Sequence, residues 1–272
     1  MFYDFLNDLD DSERARFHMH GVERINQLYG DDVGHRVAQR RRARFVNTCM
    51  MMTATGAAVS DGLADYQVVS GVGGQYNFVA MAHALEDGRS VLMLRATREK
   101  GDDTTSNIVW QYAHNTIPRH LRDLVVTEYG VADLRGKTDE ECIQALIAIT
   151  DARFQEGLAE EARAAGKLDS EWEIPAEARE NTPATLKAAL QPFIDAGHFL
   201  DYPFGSDLTD VEQRLVPALN RLQGASKWQL ARMAWSGRPA EEADGLARLG
   251  LEQPRTLNER FHARLVAGAL AV

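Results

Sequence analysis

Val68-Val69-Ser70-Gly71-Val72-Gly73-Gly74-Gln75-Tyr76-Asn77-Phe78 runs an apolar segment into three closely spaced glycines and then into a helical pattern. About fifty residues on, Val125-Val126-Thr127-Glu128-Tyr129-Gly130-Val131-Ala132-Asp133-Leu134-Arg135-Gly136 repeats the theme, an apolar strand ending in a turn that presents polar groups. α/β proteins place their chemistry at such strand ends. Outward from these two stretches the pattern alternates. Arg44 to Met52 is rich in Val, Phe and Met and reads as a buried strand, and Tyr66 to Ser70 as a short one. A helix from Phe78 to Leu85 opens just after the glycines. Ser90 to Arg95, Asn107 to Tyr112 and Asp123 to Thr127 read as further strands. Upstream, Phe17, Val22, Ile25 and Leu28 among charges predict a helix over residues 12–28 with Ser12 as N-cap, and a second helix covers Asp32 to Arg42. Thr138-Asp139-Glu140-Glu141 is a capping-box pattern that starts a helix to about Thr150, and another follows through Ala165. The prediction is an α/β fold, a mostly parallel sheet flanked by helices and covered on both faces.

The character changes after Gly166. Residues 167–208 read as an extended arm, polar with two prolines at first, then a helix from Asn181-Thr182-Pro183 and an irregular aromatic loop from Phe193 to Asp207. Residues 209–272 read as a helical tail, with helices over Asp210 to Gln223, Lys227 to Trp235, Ala240 to Leu249 and Leu257 to Leu270. The α/β domain is therefore expected over residues 1–166.

Bulk properties narrow the function classes. With 44% hydrophobic and 26% charged residues, the 272-residue chain has the composition of a globular protein. The net charge of -10 argues against nucleic acid or an anionic membrane surface as main partner. The basic run Arg40-Arg41-Arg42-Ala43-Arg44 reads as a solvated helix face or a local anion clamp. No apolar run is long enough to span a bilayer. The acidic, mixed start Met1-Phe2-Tyr3-Asp4-Phe5 lacks a signal-peptide pattern. Cys49 and Cys142, both in apolar segments, are expected as buried free thiols, which fits a reducing, cytoplasmic setting.

Gly71, Gly73 and Gly74 let the backbone turn tightly and approach a ligand, and the amides of such a turn can hold a phosphate or a developing oxyanion. The spacing is neither the dinucleotide fingerprint nor a Walker A loop. A plain strand–helix turn is the bland alternative. Asn47 stands alone as an amide on an apolar strand, as a site residue or as a structural tie. Glu128 ends the strand before it, as a site carboxylate or as an ion-pair partner of Arg135 or Arg119. Asp133 and Arg135 fit a role in fixing the turn into the next helix. Cys49-Met50-Met51-Met52 reads as core filler. His114 and His120 flank Pro118 with no third ligand evident, so no metal site is expected. No G-x-S-x-G elbow occurs.

The glycine turn with Phe78 and the run Thr127-Glu128-Tyr129-Gly130-Val131-Ala132-Asp133-Leu134-Arg135-Gly136 together resemble the C-terminal half of the acetyl-CoA hydrolase/transferase family of CoA-transferases. The resemblance covers about Phe2 to Phe154, is looser through Phe204-Gly205, and fades over the last sixty residues. It implies that Gly71, Gly73, Gly74 and Phe78 lie against an acyl-CoA thioester, that Asn47 positions the reacting groups, and that Glu128 supports the site. Arg95, Arg98, Lys100 and Arg119 are candidate contacts for CoA phosphates. It implies covalent catalysis by a glutamate with acyl-CoA and a small carboxylate as substrates, coenzyme A thioester as substrate rather than resident cofactor, and no metal or redox cofactor. No glutamate here stands where the nucleophile should; Glu13 and Glu23 lie on a polar helical face. The expectation is a C-terminal half that works with an N-terminal CoA-transferase half on a separate chain, in a homo- or hetero-oligomer. The alternatives are a non-catalytic CoA-binding or partner-binding remnant and, more distantly, a nucleotide-binding α/β module.

Overall fold

The expected helix over residues 12–28 is broken. The chain opens with α1 (Phe2–Asp8) and α2 (Asp11–Arg14). Asp10, not Ser12, caps α2, its carboxylate accepting the amides of Ser12 and Glu13 at 2.8 and 2.9 Å. α3 (Glu23–Asn26) and α4 (Val33–Gln39) follow, the latter inside its expected span. Phe17, Val22 and Ile25 stay exposed and only Leu28 is buried. Helices draw most of their stability from a packed apolar face, and here there is none to hold one long helix. The arginines tie the region together instead. Arg36 donates to the Tyr29 carbonyl at 2.7 Å, Arg40 to that of Arg24 at 2.8 Å and Arg44 to that of Asp87 at 3.0 Å. Much of the basic run is thus spent on backbone carbonyls.

This computed structural model describes residues 2–101, 103–200 and 202–271. They form two compact units, Met1–Pro192 and Phe193–Val272. In the first, the expected strand from Arg44 to Met52 is two strands in two sheets: β1 (Arg44–Thr48) and β2 (Met51–Thr53). β3 (Ala58–Val59), α5 (Gln75–Ala84), β4 (Arg89–Met93), β5 (Thr97–Lys100), β6 (Asp103–Ser106), β7 (Ile108–Val109), β8 (Leu124–Thr127) and β9 (Gly130–Asp133) follow, then α6 (Asp139–Ala148) and α7 (Ala152–Ala164). The main sheet has order β1-β4-β8-β9; the first three strands are parallel and β9 closes the edge antiparallel to β8. A second sheet has order β3-β2-β7, and β5 and β6 form a separate hairpin. No strand forms over Tyr66–Ser70, where a single bridge joins Gly62 to Val68. The strand expected from Asn107 shrinks to β7.

Leu92, Val125 and Ala132 point from alternate positions of β4, β8 and β9 into one core with Val79 of α5 and Ile143 and Leu146 of α6. Each fully buried Leu, Val or Ile among them contributes roughly 1.5–3 kcal/mol. α6 begins as its sequence predicts, with Thr138 and Glu141 exchanging capping hydrogen bonds. β8 is anchored by Asp123, fully buried, which accepts the Ser90 amide at 2.7 Å and pairs with Arg89 at 2.7 Å and Arg135 at 2.6 Å. Residues 167–181 pack on this layer through Leu168, Ile174 and Ala178, and the Asn181 side chain donates to the Ala148 carbonyl at 2.8 Å. Both cysteines are buried free thiols. The helices cover one face of the main sheet. The other face, expected to be covered too, is largely bare among the described residues.

α8 (Pro183–Asp195) follows. Between it and residue 209 the described residues form no helix, as expected of the aromatic loop; Asp201 within it lies outside the described residues. The second unit contains α9 (Asp210–Gln223), α10 (Lys227–Ser236), α11 (Ala243–Arg248) and α12 (Leu257–Leu270). The helix expected from Ala240 begins instead as a 3-10 turn over Pro239–Glu241. Thr209, Ser226 and Thr256 each form a capping box, and Leu215, Leu246, Ala263 and Val266 make the core. No helix among the described residues is long and apolar enough to cross a membrane.

Candidate functional site

β1 alternates its side chains across the sheet, so Phe45 and Asn47 face α5 while Val46 faces away. Phe45 stacks on Phe78 of α5 with ring centroids 5.8 Å apart. Asn47 and Thr48 sit at the carboxyl end of β1, in register with Leu92 and Met93 of β4. The glycine turn meets this strand end. Its first helical residue, Gln75, is buried and donates from Nε2 to the Thr48 carbonyl at 3.0 Å. The loop before the turn is closed by a hydrogen bond from the Thr116 hydroxyl to Asp61 and by the Val69 amide on the Asp61 carbonyl at 2.8 Å. Between them lies a cavity of about 480 Å³, lined by residues of three stretches: Asn47–Met50, Ser60 with Val69–Val72, and Gly74, Gln75 and Phe78.

Backbone geometry requires glycine at Gly73, while at Gly74 the Phe78 ring would have to give by a few tenths of an ångström to admit a side chain. Gly73 has φ +56°, a left-handed backbone that side chains disfavour. At Gly74 a Cβ would stand 3.1 Å from Cε2 of Phe78, so the ring packs where a side chain would be. Gly71 faces open space. The amides of residues 71–74 donate no hydrogen bond among the described residues, and they lead into the amino terminus of α5, where the helix dipole is positive. Nδ2 of Asn47 is buried without a partner among the described residues. No charged side chain among the described residues lines the cavity. The Cys49 thiol at its wall is pushed up to about 12 by burial, so it stays protonated at neutral pH. The cavity is open to solvent and offers hydrogen-bond donors, and among the described residues its lining supplies neither a nucleophilic carboxylate nor a general base.

Asn47, Gly71, Gly74 and Phe78 are thus brought together, with Gly73 in the same turn although it is not among the lining residues. Glu128 is not among them either. Its Oε2 accepts the Ala96 amide at 2.8 Å, which ties the end of β8 to the segment beyond β4. It pairs with neither Arg135, which is on Asp123, nor Arg119, which is on Asp139 at 2.8 Å. Asp133 pairs with Arg89 at 2.7 Å and accepts the Arg135 amide at 3.3 Å, fixing the turn as expected. His114 packs edge-on to Tyr66 with centroids 5.2 Å apart. Arg98 donates to Thr105 within the β5–β6 hairpin at 3.0 Å. Glu13 and Glu23 are exposed and do not line the cavity. Sequence reasoning missed Gln75. A polar residue at the start of a helix is unremarkable locally, and its partner lies 27 positions away.

Two clefts of greater volume lie elsewhere. One of about 510 Å³ lies between Thr105–Gln111 and α7, whose Arg153 amide is already capped by the Asp151 carboxylate. One of about 570 Å³ lies against α12. Neither is lined by a glycine turn with free amides, which is why the smaller cavity is the candidate.

Comparison with known proteins places the first unit. Residues 1–162 match the acetyl-CoA hydrolase/transferase C-terminal domain. The chain is 35% identical over 117 residues to the 4-hydroxybutyrate coenzyme A transferase of Clostridium kluyveri, covering 43% of this chain and 27% of that one. It is 30% identical over 169 residues to the succinyl-CoA:cyclohexane-1-carboxylate CoA transferase of Geobacter metallireducens, covering 61% and 36%. Among solved structures, 4-hydroxybutyrate CoA-transferase from Porphyromonas gingivalis is 29% identical with a TM-score of 0.43, covering 60% of this chain and 34% of that one. The chain therefore spans about a third of the length of these relatives.

Proposed function

The chain belongs to the acetyl-CoA hydrolase/transferase C-terminal domain family, and from that premise we propose that it forms the acyl-CoA side of a CoA-transferase site. One observation carries the reading: Gly71, Val72 and Gly74, whose amides donate no hydrogen bond among the described residues, and Asn47, whose buried Nδ2 has no partner among them, line one cavity at a strand end. When a carboxylate adds to a thioester, its oxygen bonds to the acyl carbon and the carbonyl oxygen takes the negative charge. Amides donating to that oxygen stabilise its negative charge more than they stabilise the neutral thioester. Collapse then breaks the carbon–sulfur bond and releases CoA thiolate. Attack of that thiolate on the enzyme-side carbonyl of the mixed anhydride frees the acyl group as its carboxylate and leaves CoA on the enzyme. A small acceptor carboxylate takes the CoA by the reverse steps, and water in its place gives hydrolysis. None of these steps calls on a metal or redox centre.

In this reading Asn47 orients the thioester or the attacking carboxylate, Gln75 holds the amide turn against the strand, and Glu128 positions the end of β4 through Ala96. The nucleophile comes from an N-terminal CoA-transferase half, because the cavity residues supply none. Calorimetric titration of the purified chain with acetyl-CoA tests the reading. Binding is expected, with no CoA transfer to added succinate by this chain alone. Asn47→Ala should weaken binding about tenfold, one hydrogen bond's worth. Failure to bind acetyl-CoA at millimolar concentration, or equal binding of ATP or NAD, would overturn the assignment. Rapid turnover by the lone chain would overturn the requirement for a second half. Binding in the presence of a complementary half, but no turnover, would favour a non-catalytic CoA-binding role.

A further inference from the structure

α5 presents two unlike faces. Gln75 and Phe78 turn toward the glycine-turn cavity. Tyr76, Ala80 and Ala84 recur every four residues on the opposite side of the helix. The two alanines leave a hollow of about 320 Å³ there, walled by Tyr29 and Tyr76 and edged by the amide side chains of Asn26, Gln27 and Asn77. Leu28 and Met81, both buried, form its floor. The wall away from α5 is held from behind. The Arg36 guanidinium donates to the carbonyls of Glu23 and Gln27 at 3.3 Å and to that of Tyr29 at 2.7 Å.

The lining selects a chemistry. Among the described residues it carries no charged side chain, so neither a phosphate nor a carboxylate finds a counter-ion inside it. Tyr29 and Tyr76, 75% and 48% exposed, offer ring faces to a flat ligand. Oδ1 of Asn26 is buried with no partner among the described residues, an acceptor that lacks a donor. An asparagine amide meets the exocyclic amine and ring nitrogen of adenine with two hydrogen bonds, and the broad χ2 torsion of Asn26 lets its amide turn into the hollow. Guanine puts an acceptor where adenine has that amine, so Oδ1 would gain nothing from it. The hollow also reaches the glycine turn, since Nδ2 of Asn26 lies 3.6 Å from the place a Cβ would take on Gly74. The two cavities thus flank the first turns of α5, a helix about 10–12 Å across, whose amino end favours negative charge.

We infer that this hollow binds the adenine base of the acyl-CoA. Tyr29 and Tyr76 lie against the base and Asn26 reads its amino edge. The diphosphate passes the amino end of α5, and the thioester enters the glycine-turn cavity. That the base is coenzyme A's rests on the proposed function; the affinity of the hollow for adenine does not. No bond is made or broken here, and the hollow sets specificity for the nucleotide half of the substrate.

Calorimetry on the full 272-residue chain compares acetyl-CoA with S-acetylpantetheine, which lacks the nucleotide, and with adenosine 3′,5′-bisphosphate, which lacks the thioester arm. Acetyl-CoA should bind more tightly than S-acetylpantetheine, and the bisphosphate should compete with it. Tyr29→Ala and Tyr76→Ala should each weaken acetyl-CoA and the bisphosphate about fivefold or more, the loss of one base–aromatic stack, and leave S-acetylpantetheine unchanged. Both tyrosines are exposed, so equal melting midpoints of variants and wild type show that the fold is intact. Guanosine 3′,5′-bisphosphate should bind more weakly than the adenosine compound. Variants that weaken S-acetylpantetheine as much as acetyl-CoA, or weaken neither, overturn the inference, as does equal binding of the guanosine compound. Adenosine bisphosphate bound without displacing acetyl-CoA overturns it too, by showing a separate nucleotide site. S-acetylpantetheine bound as tightly as acetyl-CoA would keep the proposed chemistry and sink the hollow. Bisphosphate and acetyl-CoA bound equally, and both lost in Tyr29→Ala, would uphold the hollow while sinking the proposed thioester site.

Discussion

Asp123 shows how one buried charge organises the first unit. Its carboxylate joins the Ser90 amide on β4 to Arg89 and to Arg135 beyond β9, so three neighbouring strands share one anchor. Asp123→Asn keeps the shape and removes the charge, leaving the Arg135 guanidinium without its counter-ion and Arg89 with Asp133 alone. Because both arginines keep about a quarter to a third of their side-chain surface in water, the cost should fall at the low end for a broken buried pair, about 3 kcal/mol. A urea titration checks this; a change under 1 kcal/mol would show that the cluster is replaceable by hydration (about the level of an exposed pair). At this scale the sequence was informative where chemistry is local. Asn47 and the glycines announced themselves as a lone amide on an apolar strand and a turn before a helix. Asp123 and Gln75 did not, because their roles depend on partners 12 to 34 positions away.

Capped helices were the most legible elements. Thr138 begins α6 where its box predicts, and Leu257–Leu270 has the expected bounds of α12. The strand errors have one cause. Phe45 to Met52 is apolar apart from Asn47 and Thr48, so its pattern does not mark the change of sheet at Cys49-Met50. β5 and β6 are short and polar, and their pairing is visible only in three dimensions. In the second unit, α10 and α12 approach so closely that a Cβ on Gly268 would fall inside the van der Waals radius of the Met233 carbonyl oxygen. Gly268→Ala would raise helix propensity by about 1 kcal/mol, yet the prediction is net destabilisation of about 1–3 kcal/mol, because backbone must move apart. Melting of the variant decides the sign. An unchanged or raised midpoint would mean that the two helices separate without strain.

Across the whole molecule, acid should be the weak side. Asp139 is held below its ordinary 3.8 by a hydrogen bond from Arg122, with help from Arg119 and Lys167. Glu141, Glu212 and Glu259 are held below 4.5, each chiefly by a backbone amide at its helix start. A carboxylate depressed in the folded state binds fewer protons there than in the unfolded chain. Its contribution is present above the unfolded value and is lost as pH falls through the folded one. Stability should therefore be flat between about pH 5 and 7 and fall below about pH 4. Asp139→Asn should make that decline shallower, as urea midpoints across the range would show. A decline of equal slope in the variant would assign the acid sensitivity elsewhere. The sequence by itself determined the α/β class, the turn at Gly71 to Gly74, the capped helices and the family, because these rest on periodicity, capping chemistry and backbone freedom within a few residues of chain. The tertiary structure alone decided that Asn47 and the turn share a cavity, that Glu128 is spent on Ala96, and that one face of the sheet is bare. Those facts depend on which distant segments pack together, and a face is bare only by virtue of what does not reach it, which no local pattern records.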